Sequence, residues 1–108
     1  MNESEFNQHI DDLLISIEDA VEDAGVDIDY ETVAGILTLE FDNGSKVIIN
    51  RQTAMRQVWV AAKSGGYHLD RVGEQWVTSI SKETLSGLLD RVCSEQMGES
   101  VTLAIVEA

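Results

Sequence analysis

Between residues 3 and 24 the apolar positions recur every three or four residues. Phe6, Ile10, Leu13, Leu14, Ile17, Val21 and Ala24 form one stripe, the pattern of a helix with a single buried face. Ser4 is placed to cap its start and Gly25 to end it. The period then changes to two. Over Asp27–Val33, Ile28, Tyr30 and Thr32 alternate with Asp27, Asp29 and Glu31, as in a half-buried strand. Ile36–Asp42 and Ser45–Gln52 are β-rich and joined through Asn43-Gly44, a strong hairpin signal. Val58–Ala62 reads as another strand and Gly65-Gly66 as a turn. Tyr67–Val72 and Trp76–Ile80 follow, separated by Gly73-Glu74-Gln75.

A second helix is expected from about Lys82 to Met97, capped by Ser81 and ended by Gly98, with Leu85, Leu88, Leu89, Val92 and Cys93 on its apolar face. The tail Ser100–Val106 alternates Val101, Leu103 and Ile105. It fits either a short edge strand or an extended segment sealing the gap between the helices. Five or six short strands joined by tight turns make an antiparallel meander. The order helix, sheet, helix makes an α+β two-layer sandwich with both helices on one sheet face and the other face towards solvent. A chain of 108 residues, 44% hydrophobic, fits one domain over 1–108.

Charge changes the picture. The net charge is −13. That argues against nucleic acid, whose phosphates need a basic surface, and against anionic membranes. No apolar run is long enough to span a bilayer, and MNESEF is too acidic and polar for a signal peptide. The single cysteine, Cys93, has no internal partner, so a reducing cytoplasm is the expected location. Cations and basic protein surfaces are the natural partners.

The charge is also unevenly placed. Thirteen acidic residues and no Lys or Arg lie between Met1 and Ser45; all seven basic residues lie at or beyond Lys46. On the first helix, Asp11, Glu18 and Glu22 fall on one flank of the apolar stripe and Asp12, Asp19 and Asp23 on the other. An acidic helix face is ordinarily a solubilising one, yet such faces usually mix signs at i,i+4. Here Glu18/Glu22 and Asp19/Asp23 are like-charge pairs, each costing roughly 0.2–0.5 kcal/mol. Glu22 and Asp23 also sit in the last turn, where the macrodipole disfavours anions. Asp27, Asp29 and Glu31 extend the patch. Two rules broken together point to a binding surface. Its carboxylates suit hard cations, held weakly, at several points and exchangeably, since no dedicated cage is evident. The same patch suits a basic protein surface.

Support for catalysis is thin. Cys93 lies on an apolar helix face, His9 and His68 fall in different elements, and no HExxH, paired His/Cys set, P-loop, GxGxxG or complete EF-hand loop occurs. Asn50, Gln52 and Trp59 are expected to share the solvent face of the sheet. A strand Trp is more often core, but one set beside Asn and Gln fits an interface anchor with a polar rim.

The segments SEFNQHIDDLLISIED, FDNGSKVIINRQ, QVWVAA and SGGYHLD together resemble the bacterial members of the frataxin family, over Ser4 to about Ser100. Ala54 stands where that family usually carries proline, which would stiffen the loop before Trp59. The resemblance implies an α+β sandwich that carries Fe²⁺ or Fe³⁺ on an acidic ridge, with other divalent cations able to substitute. It implies docking onto the cysteine desulfurase and the scaffold protein of iron–sulfur cluster assembly, without enzymatic activity and as a monomer in the absence of metal. By resemblance, Glu18, Asp19, Glu22 and Asp23 are the ridge, Asp27, Asp29 and Glu31 its continuation, and Asn50, Gln52 and Trp59 the partner-facing sheet positions. The competing expectations are a ferroxidase-type enzyme or iron store, and an acidic interaction module that binds metal incidentally.

Overall fold

The structure is a computed structural model that describes residues 1–105. Its first helix, α1 (Glu3–Ala24), starts two residues earlier than Ser4 suggests. Asn2 is the cap: its side chain accepts from the Glu5 N–H at 2.8 Å, and the Glu5 carboxylate accepts from the Asn2 N–H at 3.1 Å. This reciprocal capping box satisfies two orphan donors at once, which Ser4 has no acidic partner to do. Gly25 ends the helix in the left-handed region, as expected. The buried stripe is Phe6, Ile10, Leu13, Leu14, Ile17, Ala20 and Val21. Ala24, expected inside, is exposed, and Ala20 takes its place one turn earlier.

Six strands follow in sequential order as one antiparallel sheet. They are β1 (Ile28–Val33), β2 (Ile36–Phe41), β3 (Lys46–Gln52), β4 (Gln57–Ala62), β5 (Gly65–Val72) and β6 (Gln75–Thr78). β1 and β2 meet at a two-residue turn in which Ala34 (φ 53°) and Gly35 (φ 77°) both lie in the left-handed region, the geometry that matches strand twist. The next hairpin is longer than Asn43-Gly44 alone implies. The Gly44 N–H donates to the Phe41 carbonyl and the Phe41 N–H to the Ser45 carbonyl, leaving Asp42, Asn43 and Gly44 as a three-residue loop. Gly65-Gly66 is not the turn. Ala62 pairs with Gly65, so Lys63-Ser64 turns the chain and the two glycines open β5. β6 stops at Thr78, short of the expected Ile80, which is exposed.

The second helix, α2 (Leu85–Met97), is capped by Thr84 rather than Ser81. The Thr84 hydroxyl accepts from the Gly87 N–H, whereas the Ser81 hydroxyl is paired with that of Thr78 at 2.8 Å. Gly98 ends the helix. Both helices cover the sheet face that carries Leu37, Leu39, Ile49, Leu69 and Trp76, and Leu85, Leu88, Leu89, Val92 and Cys93 are fully buried against it. Burial, helped by the nearby Asp90 charge, pushes the Cys93 thiol up to about 12, so it stays a protonated core residue.

Beyond Gly98, residues 101–105 form no strand. They run as a segment that buries Val101, Leu103 and Ile105. The Ser94 hydroxyl accepts from the Val101 N–H, and the Asp90 carboxylate from the Leu103 N–H, both at 2.8 Å. Leu103 and Ala104 line a hollow with Ser16, Asp19, Ala20 and Asp23 of α1. The tail therefore links the two helices, as the sealing-segment alternative has it; Val106 lies outside the described residues.

Candidate functional site

Helix and strand geometry divide the nine carboxylates of residues 9–31 into separate groups. Asp11 is drawn away first. It pairs with the half-buried Arg51 guanidinium of β3 at 2.6 Å, which also donates to the Asn7 side chain at 3.1 Å. Further along the same flank, Glu18 accepts from the Thr32 hydroxyl at 2.5 Å and Glu22 from the Tyr30 hydroxyl. Tyr30 and Thr32 are the members of β1 that point towards α1, so these bonds fasten the helix over the sheet edge. The bond to Glu22 pushes the Tyr30 hydroxyl up to about 12, with burial and the charges of Glu22, Glu18 and Asp19 adding to it. Asp19 and Asp23 lie on the other flank, exposed, beside the tail segment. No basic residue occupies the last turn of α1.

The alternation of β1 sends Asp29 and Glu31 to the opposite face of the sheet from Glu18 and Glu22. There they line a shallow surface with Thr38, Glu40 and Lys46, and Lys46 pairs with Glu40 at 3.7 Å. The structure thus brings Glu18 and Glu22 together, and Asp19 with Asp23, but parts both from Asp29 and Glu31 by the thickness of the sheet edge. Asp27 faces a residue that sequence reasoning missed. Asp42, one step beyond the Ile28↔Phe41 pair, sets its carboxyl against that of Asp27. Hydrogen bonding between the two carboxyls, Asp27's charge, partial desolvation and Asp29's charge hold the Asp42 carboxyl above its usual range. Asp42 is distant from Asp27 in sequence, and only the β1–β2 register brings the two together at the open end of the hairpin. Among the described residues, no three His, Cys, Asp or Glu side chains converge as a metal cage.

This pair makes a pH prediction. A carboxyl whose folded pKa exceeds its unfolded value binds its proton more tightly when folded. Stability contributed this way is present at low pH and lost as pH rises from the ordinary carboxylate range through Asp42's raised value. Asp42→Asn removes the repulsion with Asp27, so the variant should melt higher than the parent at pH 7. The advantage should shrink steadily as melting curves are recorded at lower pH. A gain independent of pH would place its origin in the turn rather than in the carboxyl pair.

On the open sheet face, register sets Asn50, Trp59 and His68 in one row across β3, β4 and β5. Gln52 lies beside Gln57 on the same face. Asn50, Gln52 and Trp59 thus share the face expected for them, but Trp59 is half-buried, not freely exposed. Its ring stacks on the His68 imidazole, with centroids 4.2 Å apart and planes 10° from parallel. Its indole N–H donates to Gln57 Oε1 at 2.9 Å. Gln57 Nε2 in turn donates to Asp70 at 3.0 Å, and the other Asp70 oxygen accepts from the Ser79 hydroxyl at 3.1 Å. The indole is held flat on the sheet by this chain. His68 and Gln57 were not singled out in the sequence, because their contacts with Trp59 cross strands or skip a residue.

Comparison with known proteins agrees with this fold. The family model described as the frataxin-like domain matches residues 1–99. The iron–sulfur cluster assembly protein CyaY of Vibrio cholerae serotype O1 is 48% identical over 101 residues, covering 94% of this chain and 97% of that protein. The structure of frataxin from Psychromonas ingrahamii superposes with a TM-score of 0.90 at 38% identity, covering 96% of this chain and 99% of that one. Trimeric frataxin from the yeast Saccharomyces cerevisiae, complexed with ferrous iron, gives a TM-score of 0.67 at 28% identity, covering 88% of this chain and 87% of that one.

Proposed function

The chain belongs to the frataxin-like domain family, and from that membership we propose that it is an iron-binding adaptor of iron–sulfur cluster assembly rather than an enzyme. In this reading Glu18, Asp19, Glu22, Asp23, Asp27, Asp29 and Glu31 collect Fe²⁺ or Fe³⁺ as cargo. The acidic helix flank, with Asn50, Gln52 and Trp59, docks on cysteine desulfurase and the scaffold protein.

One observation carries the reading. Asp19 and Asp23 stand one turn apart at the dipole's negative end, exposed, with no cation in that turn to offset them. Such an arrangement is unfavourable in the isolated protein and becomes favourable when an external cation or basic surface arrives. The absence of a three-ligand cage among the described residues favours one or two carboxylates plus water per ion, hence weak and exchangeable binding. That suits delivery better than storage. The names of the Vibrio and yeast relatives support iron and cluster assembly as the context. The partner surface is supported by Trp59, a flat aromatic with its polar atom already satisfied and Asn50 beside it.

Anaerobic titration of the isotopically labelled protein with Fe²⁺ tests the proposal. Amide signals of residues 18–31, and of Asp42, should shift or broaden first. Largest effects around His68 and Trp59 would move the metal site to the sheet and overturn the ridge.

A further inference from the structure

β1 is an edge strand, and apart from the Ile28 N–H, which the Val26 carbonyl takes, no described backbone group pairs with its outer side. Bonded and non-bonded pairs alternate along an antiparallel ladder. The two-residue turn at Ala34-Gly35 makes Val33↔Ile36 a bonded pair, and therefore also Glu31↔Thr38 and Asp29↔Glu40. Tyr30 and Thr32 are left with their N–H and C=O groups directed outwards. The other end gives the same phase, because the Phe41 N–H turns to Ser45, away from Ile28, while the Ile28 N–H is taken by the Val26 carbonyl. The opposite edge of the sheet is guarded differently. On β6 the Thr78 N–H donates to the Glu83 carbonyl at 2.8 Å, and Val77 bridges to Thr84.

β1 runs six residues in unbroken register, without proline or lysine, the usual guards of an edge. The charges on the edge strand and over it are all of one sign, Glu18 and Glu22 above and Asp27, Asp29 and Glu31 along the strand and its approach; the cation that shares a surface with Asp29 and Glu31, Lys46, lies two strands in and is paired with Glu40. A second copy of this chain would bring two anionic rows together and be repelled. An extended cationic chain meets the reverse situation. Its alternate side chains repeat at the two-residue spacing of Asp27, Asp29 and Glu31, and its backbone can pair with Tyr30 and Thr32.

We propose that the β1 edge takes an extended, Lys- or Arg-rich segment of a partner protein as a seventh strand of the sheet. The inference rests on the reading above that the acidic surface docks a basic partner, and specifies how. Main-chain pairing supplies affinity and the carboxylate rows supply selection for a cationic strand.

The test is a titration of the labelled full chain with a capped seven-residue peptide of alternating Lys and Val. It is repeated with the same peptide N-methylated at two adjacent central residues, so that each of its edges loses a donor. The unmodified peptide should slow hydrogen exchange at the Tyr30 and Thr32 amides and bind at least about tenfold more tightly than the methylated one. Equal affinity of the two peptides overturns strand addition while leaving an acidic docking surface intact. Binding of neither overturns both readings. Protection of the same amides that grows with protein concentration, without peptide, would assign the edge to a second copy and likewise overturn the proposal.

Discussion

Trp59→Ala is expected to weaken binding to cysteine desulfurase by about 30-fold or more, while the isolated protein loses only about 1.5–2.5 kcal/mol of stability. The first figure is that of an interface hot spot of about 2 kcal/mol, the role the proposed function gives this half-buried tryptophan. The second follows from what the side chain does in the free protein. Truncation removes the stack on His68 and the bond to Gln57, worth about 0.5–1.5 and about 1 kcal/mol by general experience. A core aromatic is a different case. Trp76, fully buried on the helix side of the sheet, should cost about 3–5 kcal/mol on the same truncation. Denaturant melts and a binding isotherm on Trp59→Ala separate the two roles. A stability loss as large as that expected for Trp76, or an unchanged affinity, would return Trp59 to a structural role. His68→Ala supplies a control, since it removes the stack but leaves the indole and its bond to Gln57 in place; it should lower stability more than affinity.

The second large effect lies on the ridge and runs in the opposite direction. Glu22→Gln with Asp23→Lys should stabilise the isolated protein by about 1 kcal/mol at low salt. Glutamine at 22 keeps an oxygen to accept from the Tyr30 hydroxyl, which lysine would not. Lysine at 23 turns the Asp19/Asp23 repulsion into an acid-to-base i,i+4 pair and places a cation in a last turn that has none. Added salt should shrink the gain, because both terms are screened at the surface. The same variant should bind divalent cations and the basic partner more weakly, so that stability and function move apart. A variant less stable than the parent would show that the ridge is not strained.

How far these features were legible in the chain depends on whether the deciding contact is local. The apolar stripe of α1 and the alternation of β1 and β2 depend on neighbours within a turn or a residue pair, and both elements lie where the pattern placed them. The caps shifted for equally local reasons. Asn2 has Glu5 three residues on, a box visible in the sequence, and Thr84 has Gly87, while Ser81 was drawn to Thr78. The hairpin glycines misled because Gly65 and Gly66 permit a turn without requiring one, and the strand register put Lys63-Ser64 at the bend.

Long-range facts were the harder ones. Nothing in residues 27–31 says over which sheet face α1 will lie, and that choice separates Asp29 and Glu31 from Glu18 and Glu22. Trp59's half-burial depends on His68, which only the β4–β5 register brings beneath its ring. Asp42 joins the acidic surface through the β1–β2 register alone. The density of charge and its division between two helix flanks were readable from the sequence; its further division between a sheet edge and an open face was not.

The most direct measurement is the response of the melting curve to metal. A cation that binds only the folded ridge stabilises it by about 1.4 kcal/mol at ten times its Kd, which corresponds to a rise in Tm of roughly 4–8 °C per kcal/mol for a domain near this size. Parent protein and the Glu22→Gln/Asp23→Lys variant should be melted anaerobically, with and without millimolar Fe²⁺, at one fixed ionic strength. The ridge account predicts a clear upward shift in the parent and less than half of that shift in the variant, from a higher starting point without metal. Equal shifts in the two proteins would contradict it, and would leave the acidic helix flank as a solvated surface with no part in metal binding.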